Sequence, residues 1–434
     1  MSLFYLKKKQ FHIQLSYMND INRHIAVIDL KAFYSFVECV DRGLDAWKVP
    51  LVVADKDRGK NTIVLSVSPY LKSRGVPSRL RIRDLPRGYD YIYATPRMER
   101  YIEKSSEVVG IMGEFVSFED IFVYSIDEAF LDLTTYVNYY GKTDIEITLM
   151  IINAIKEKTG LQATGGVGEN FFLAKVALDV YAKKAKNGVA VMRKSDVPKK
   201  LWPITPLSKI WGIGQRTEVK LNALGINTVG ELAHCNLSFL QSQFGVMGEQ
   251  LYNHANGNDE ADMHEEYKPK STSYSIGQVL FKDYNKKNIL TIIREMNDDL
   301  SSKLRNENKM TQLVSLYIGY SKDEMGGFSR QMSLLSPTNE NENLYKALLE
   351  LFHKHIENKP IRRVGISFGK LTAASHQQLD LFEDPSKQIA KHELQMTVDK
   401  IQAKYGKNIL LRASALTQDS TAIERHNQIG GHRK

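Results

Sequence analysis

Asp29 ends the apolar run His24-Ile25-Ala26-Val27-Ile28, and Asp127-Glu128 interrupts a second apolar stretch between Ile121 and Leu133. An acid at a strand end is ordinarily a solvated terminus. Two adjacent acids flanked by Val123, Ile126, Ala129, Phe130 and Leu131 are different, because burying an unpartnered charge costs on the order of several kcal/mol. Such carboxylates pair with a base or coordinate a cation. Three of them suit Mg²⁺, a hard ion that takes one or two protein carboxylates and completes its shell with substrate phosphates. Two such ions, roughly 3.5–4 Å apart, activate an attacking hydroxyl and stabilise a leaving pyrophosphate.

The elements that must position these acids follow from hydrophobic period. His24 to Asp29 reads as a buried strand, with two short strands at Ile121–Tyr124 and Ala129–Leu133. Gly165-Gly166-Val167-Gly168 reads as a break. After it, Leu173, Val176, Ala177 and Val180 take the spacing of an amphipathic helix. Further strands are expected at Leu313–Tyr320, Phe328–Leu335 and Ile361–Phe368, with helices around 286–306 and 343–357. Arg79-Leu80-Arg81-Ile82-Arg83 alternates as a strand would, which puts three arginines on one face, suited to a template or to a solvated edge. The fold class is mixed α/β (α+β) in several domains.

Asp29-Leu30-Lys31-Ala32-Phe33-Tyr34 and Ser125-Ile126-Asp127-Glu128-Ala129-Phe130-Leu131-Asp132 resemble the two catalytic motifs of the Y-family, translesion DNA polymerases. The resemblance continues through Gly166-Val167-Gly168-Glu169-Asn170 and Leu173-Ala174-Lys175, and it covers nearly the whole chain. Within the family it is nearest to the UmuC-type catalytic subunit of SOS polymerase V, in the Gram-positive UV-damage-repair branch. It implies a right hand, with palm at 1–32 and 95–185, fingers at 33–94, a helical thumb at 186–267 and a little finger at 268–375. It also implies error-prone addition of deoxynucleotides to a primer 3′-OH opposite damaged template, with no room left for a proofreading exonuclease. Asp29, Asp127 and Glu128 would be the ligands of two Mg²⁺ ions, with Mn²⁺ as a possible substitute and the Leu30 carbonyl assisting. Phe33 and Tyr34 would meet the nucleotide, Tyr34 as a steric gate against a ribose 2′-OH, and Lys72 and Lys175 would meet its triphosphate. Pro69, Glu169 and Phe171 depart from the pattern of many relatives, which leaves the finger contacts less defined than the metal site.

Leu207 to Gly214, followed by Leu224-Gly225-Ile226-Asn227-Thr228, resembles a helix-hairpin-helix. Gly212 and Gly214 free backbone N–H groups for a DNA phosphate, and Lys209 and Arg216 add charge. Gln378-Leu379-Asp380-Leu381-Phe382 resembles a sliding-clamp-binding peptide at the head of a polar tail, 376–434. Primer-template DNA, deoxynucleoside triphosphates and the clamp are the implied partners. SOS accessory subunits and a recombinase filament are the further ones that a polymerase V likeness raises. A clamp-tethered binding factor with a dead palm, or a nucleotide cyclase, would be the rival readings.

Composition adds little until it is divided. The 434 residues carry 59 Lys+Arg and 50 Asp+Glu, a net +9 that hints only weakly at a polyanion. By segment the net is −3 over 25–171, +8 over 172–220, −7 over 221–267 and +6 over 268–375. The acids thus sit beside basic regions suited to a duplex, while the −7 stretch has no evident purpose. Two cysteines without CxxC spacing exclude a disulfide framework and point to a reducing cytoplasm. No 18-residue apolar run suggests a membrane span. The leader lacks a signal-peptide pattern, and Met18 is an alternative start to Met1.

Overall fold

The computed structural model describes residues 23–265, 269, 271–374 and 384–434. They form two compact units that part at Glu266/Tyr267. Among the described residues, no helix is long and apolar enough to cross a membrane.

The first unit is built on β1 (Ile25–Leu30), whose residues Ile25 to Ile28 are wholly buried. A strand apolar on both faces must be covered on both, which places it inside a sheet. Helix α1 (Phe33–Asp41) follows at once, then three short strands, β2 (Leu51–Val53), β3 (Ser66–Val67) and β4 (Ile92–Ala94), which make a separate small sheet in the order β3-β2-β4. Helix α2 (Pro69–Lys72) leaves β3, with Pro69 in the first turn, where its missing N–H costs nothing. Helix α3 (Met98–Met112) leads to β5 (Ile121–Val123) and β6 (Glu128–Asp132), and α4 (Asp144–Thr159) leads to β7 (Ala163–Gly168). Helix α5 (Phe171–Val176) and β8 (Val189–Met192) complete a five-stranded sheet ordered β5-β6-β1-β7-β8.

Two expectations change here. The glycines at 165–168 are not a break but the inside of β7. A Cβ on Gly166 would lie 2.2 Å from the Ala174 carbonyl, and one on Gly168 would lie 2.4 Å from the Ala174 nitrogen. Helix α5 lies so close on the strand that only glycine fits. Arg79 to Arg83 is not a strand: Arg79 has φ +68°, Arg81 makes a single bridge to Ile63, and Ile82–Asp84 is a 3₁₀ turn. The strand alternation expected to align the three arginines is therefore absent, and all three are exposed.

Helices α6 (Gln215–Ala223), α7 (Val229–Ala233), α8 (Leu237–Phe244) and α9 (Val246–Ala255) follow. Their apolar residues Leu221, Val229, Leu232, Leu240 and Leu251 join Phe172, Leu173 and Val176 of α5 in one core. Two of the acids of 221–267 hold helix starts in this packing. Glu231 closes a capping box on α7, and Asp259 accepts from the Phe172 N–H at 3.0 Å at the start of α5.

The second unit is a four-stranded antiparallel sheet ordered β11-β10-β12-β9, with β9 Tyr274–Tyr284, β10 Lys309–Tyr320, β11 Gly327–Thr338 and β12 Ile361–Ala373. Helices α10 (Ile289–Asn306) and α11 (Asn341–His355) bury Ile292, Met296, Leu348 and Phe352 against Val314, Leu316, Ile318 and Phe368. The other face exposes Val279, Phe281 and Tyr317, as period-2 alternation requires.

The tail folds back on α10. Helix α12 (Pro385–Tyr405) brings Asp399 to Arg305, and Asp299 gathers Arg425 (2.8 Å), His426 (3.0 Å) and Lys407 (3.1 Å). His426 is thus largely enclosed, with Asp299 beside its ring. Burial pushes the Asp299 carboxyl up, but the His426 hydrogen bond and the Arg425 and Lys407 charges outweigh it and hold it well below the usual range. A carboxyl depressed in the folded state adds stability that is present above its unfolded pKa, about 3.9, and lost as pH falls below that. Asp299→Asn is therefore expected to narrow the difference in urea midpoint between pH 7 and pH 3.5. An unchanged difference would place the acid sensitivity elsewhere.

Candidate active site

The sheet brings the candidate acids to one end. Asp29, the fifth residue of β1, is registered opposite Glu128, the first of β6, and opposite Thr164 of β7. Asp127 precedes β6, its carbonyl accepting from the Leu30 N–H at 2.9 Å and its Oδ1 from the Ser125 hydroxyl at 2.8 Å. Burial pushes the Asp29 carboxyl up to about 6, and the Asp127 and Glu128 charges add to that, while Lys183 and Lys175 oppose it. Burial also raises the Glu128 carboxyl, against the hydrogen bond and charge of Lys175.

Lys175 does not stand free. Its Nζ lies 2.8 Å from both Glu128 oxygens and 3.1 Å from Asp179, and it is 7% exposed. It donates to Oε2, and the buried Oε1 has no aligned hydrogen bond. Burial lowers the Lys175 pKa, but the pairing with Glu128 and Asp179 outweighs that and leaves it raised. A buried ammonium already shared by two carboxylates is poorly placed to meet a triphosphate. Lys183, not singled out by the motifs, is the alternative. It is exposed, leans on Asp179 at 3.5 Å, and is the strongest opposing charge on Asp29. A π-helical turn at Ala177–Tyr181 separates the two lysines and shifts Lys183 off the 3.6-residue period. The Lys175-x₃-Asp179-x₃-Lys183 spacing is the signal for it in the sequence.

Lys72, at the end of α2, has an ammonium lowered by surrounding protein, with Asp29 and Asp127 pulling it back up and Lys183 pushing it down. Asp29, Asp127, Lys72 and Lys183 thus belong to one electrostatic neighbourhood. Phe33 is buried, whereas Tyr34 is half-buried, with its phenol raised by burial and by the Asp127 charge. Between β1 and α1, Ala32 is left-handed, with φ 47°, a strained position for a residue with a side chain. Ser35 Oγ donates to its carbonyl at 2.9 Å.

The fit of a divalent cation can be judged from these groups. The donors are hard oxygens, Glu128 Oε1 has Lys175 Nζ beside it but no aligned hydrogen bond, and Asp29 is flanked by the charges of Asp127 and Glu128 as well as by Lys183 and Lys175. Among the described residues, however, no group of three or more His, Cys, Asp or Glu is closed enough to hold a metal by itself. Glu128 is turned to Lys175 and Asp127 to Ser125. That fits an open site in which substrate phosphates supply ligands, not a closed structural one.

Farther along, Leu207–Lys209 is one 3₁₀ turn rather than a full helix, and Gly212 takes φ +89°. Gly214 is the N-cap of α6 and offers no side-chain acceptor to its first amides. Lys209 donates to the Thr205 carbonyl at 2.7 Å, and Arg216 is exposed on α6. Gln378 to Phe382 lies outside the described residues.

Residues 28–179 match the model of the impB/mucB/samB family, 271–381 match that family's C-terminal domain, and 208–259 match a DNA polymerase-iota thumb domain. A Bacillus subtilis protein named for UV-damage repair, UvrX, is 36% identical over 96% of this chain and 100% of its own length. DNA polymerase IV 2 of the same organism is 33% identical over 94% and 98%. DNA polymerase IV of Pelotomaculum thermopropionicum is 30% identical over 92% and 97%.

Proposed function

The chain belongs to the impB/mucB/samB family, the Y-family of error-prone DNA polymerases, and from that premise we propose that Asp29, Asp127 and Glu128 form its nucleotidyl-transfer centre. The observation that carries this reading is the register of Asp29 against Glu128 on buried neighbouring strands, with Asp127 beside them. DNA and deoxynucleoside triphosphates are the substrates of such an enzyme, and the family depends on metal ions in general.

Asp29, Asp127, Glu128 and the Leu30 carbonyl would hold Mg²⁺, two ions per site, with Mn²⁺ as substitute. When bound, the metal neutralises phosphate charge and makes the primer hydroxyl more acidic. The chain's own groups do the rest. Ser125 fixes the Asp127 carboxylate, and Lys175 braces Glu128. Lys183 and Lys72 would balance the triphosphate as point charges. Phe33 seats α1 in the core, and Tyr34 would lie beneath the sugar. The uncapped amides after Gly214, Gly212 in its turn, Lys209 and Arg216 would hold a DNA phosphate without reading sequence. On this reading the palm spans 1–32 and 95–185, the fingers 33–94, the thumb 186–267 and the little finger 268–375. Gln378 to Phe382 would bind the sliding clamp, with SOS accessory subunits and a recombinase filament as further partners in the cytoplasm.

Primer extension by the purified chain tests the proposal: product with Mg²⁺ and none with chelator is expected, and no product with either divalent ion overturns it. For the triphosphate contact, Lys183→Ala is expected to raise the nucleotide KM about ten-fold, worth ~1.4 kcal/mol of ground-state binding, with kcat little changed. Lys175→Met should lower kcat instead, through Glu128. The reverse pattern in steady-state kinetics would return the triphosphate role to Lys175.

A further inference from the structure

A steric gate works only if its ring cannot yield when an extra hydroxyl presses on it. Tyr34 is the second residue of α1, which has no side-chain cap, and its side chain is only partly buried. What backs the ring is Tyr101 of α3, 4.6 Å away between centroids and tilted by 35°. Tyr101 is fully buried, and its hydroxyl donates to Glu38 Oε1 at 2.7 Å. Glu38, one helical turn beyond Tyr34 on α1, is itself 0% exposed. Arg97 reaches it with Nε at 2.9 Å and Nη2 at 3.0 Å, and Arg42 adds a third charged donor. Arg97 also bonds Asp41 at 2.8 Å, and Arg100 holds the same carboxylate at 2.9 Å.

Two acids on α1 are thus clamped by two arginines at the start of α3, the helix that carries Tyr101. A carboxylate this deeply buried is a poor source of net stability. Its directional bonds fix the register of α1 against α3, and with it the face that Tyr34 presents. We infer that Tyr101, anchored by Glu38 and Arg97, is the positioning residue of the sugar gate and sets how strongly the enzyme rejects ribonucleotides. This rests on the reading of Tyr34 as the gate.

The test is the ratio of kcat/KM for a deoxynucleotide to that for its ribonucleotide, measured on the full chain with Mg²⁺. Tyr101→Leu removes the backing ring and should cut the ratio ten-fold or more, because ribonucleotide use rises. Tyr101→Phe keeps the ring and loses the bond to Glu38, so a cut of about three-fold is expected; if the leucine variant does not fold, this one carries the test. A parallel loss for both sugars, or an unchanged ratio in both variants while Tyr34→Ala lowers it, overturns the positioning role. An unchanged ratio in Tyr34→Ala overturns the gate itself and the inference with it.

Discussion

Asp127→Asn is expected to slow single-turnover nucleotide addition about 10³-fold while leaving the melting temperature and primer-template affinity near those of the parent. Asparagine keeps the size of the side chain and an oxygen that can accept from the Ser125 hydroxyl, so the turn before β6 is preserved. What it removes is one negative charge beside Asp29 and Glu128. Charge-stabilising groups at a reacting centre are worth roughly 10²–10³ in rate when deleted singly, or about 3–4 kcal/mol of barrier. Lost repulsion also makes the remaining acids easier to ionise, since Asp127 raises both. A folded variant that adds nucleotides within ten-fold of the parent rate would remove Asp127 from the chemistry.

Asp399→Ala should destabilise the second unit by about 3 kcal/mol, the low end of what breaking a buried ion pair costs. The Arg305 and Asp399 side chains are 3% and 4% exposed, with Nε–Oδ2 at 2.6 Å and Nη2–Oδ1 at 3.1 Å. The alanine leaves the guanidinium enclosed, helped among the described residues by the Asn339 carbonyl at 2.9 Å, Asn341 Oδ1 at 2.5 Å and Gln395 at 3.3 Å. Those contacts explain why the low end applies. Replacing both partners, Arg305→Met with Asp399→Leu, should be nearly neutral, because no charge is stranded. Urea melts of the three proteins distinguish these outcomes. Equal midpoints for parent and Asp399→Ala would mean that α12 contributes nothing to the second unit.

The acids are legible in the sequence because adjacency within an apolar run is improbable without a partner, and β1 is legible from unbroken hydrophobicity. The surroundings of Lys175 are not, because a motif specifies a residue type and not its burial; only packing reveals Glu128 and Asp179 around it. Lys183 is marked in the sequence only by its spacing from Lys175 and Asp179; the π-turn that sets its direction has no such mark. The glycines of β7 read as a break because sequence does not say what presses on them. Arg79 to Arg83 alternates like a strand, but the turn at Arg79 overrules the local pattern. The network of Glu38, Arg97 and Tyr101 joins residues 63 positions apart and has no local signature at all.

The central claim is that these carboxylates serve a template-directed reaction. Single-nucleotide addition to one primer on four templates, differing only in the next base, tests it most directly. The nucleotide added should follow the template base in each case and require Mg²⁺. Addition indifferent to the template, or cyclic product from nucleotide alone, would contradict it.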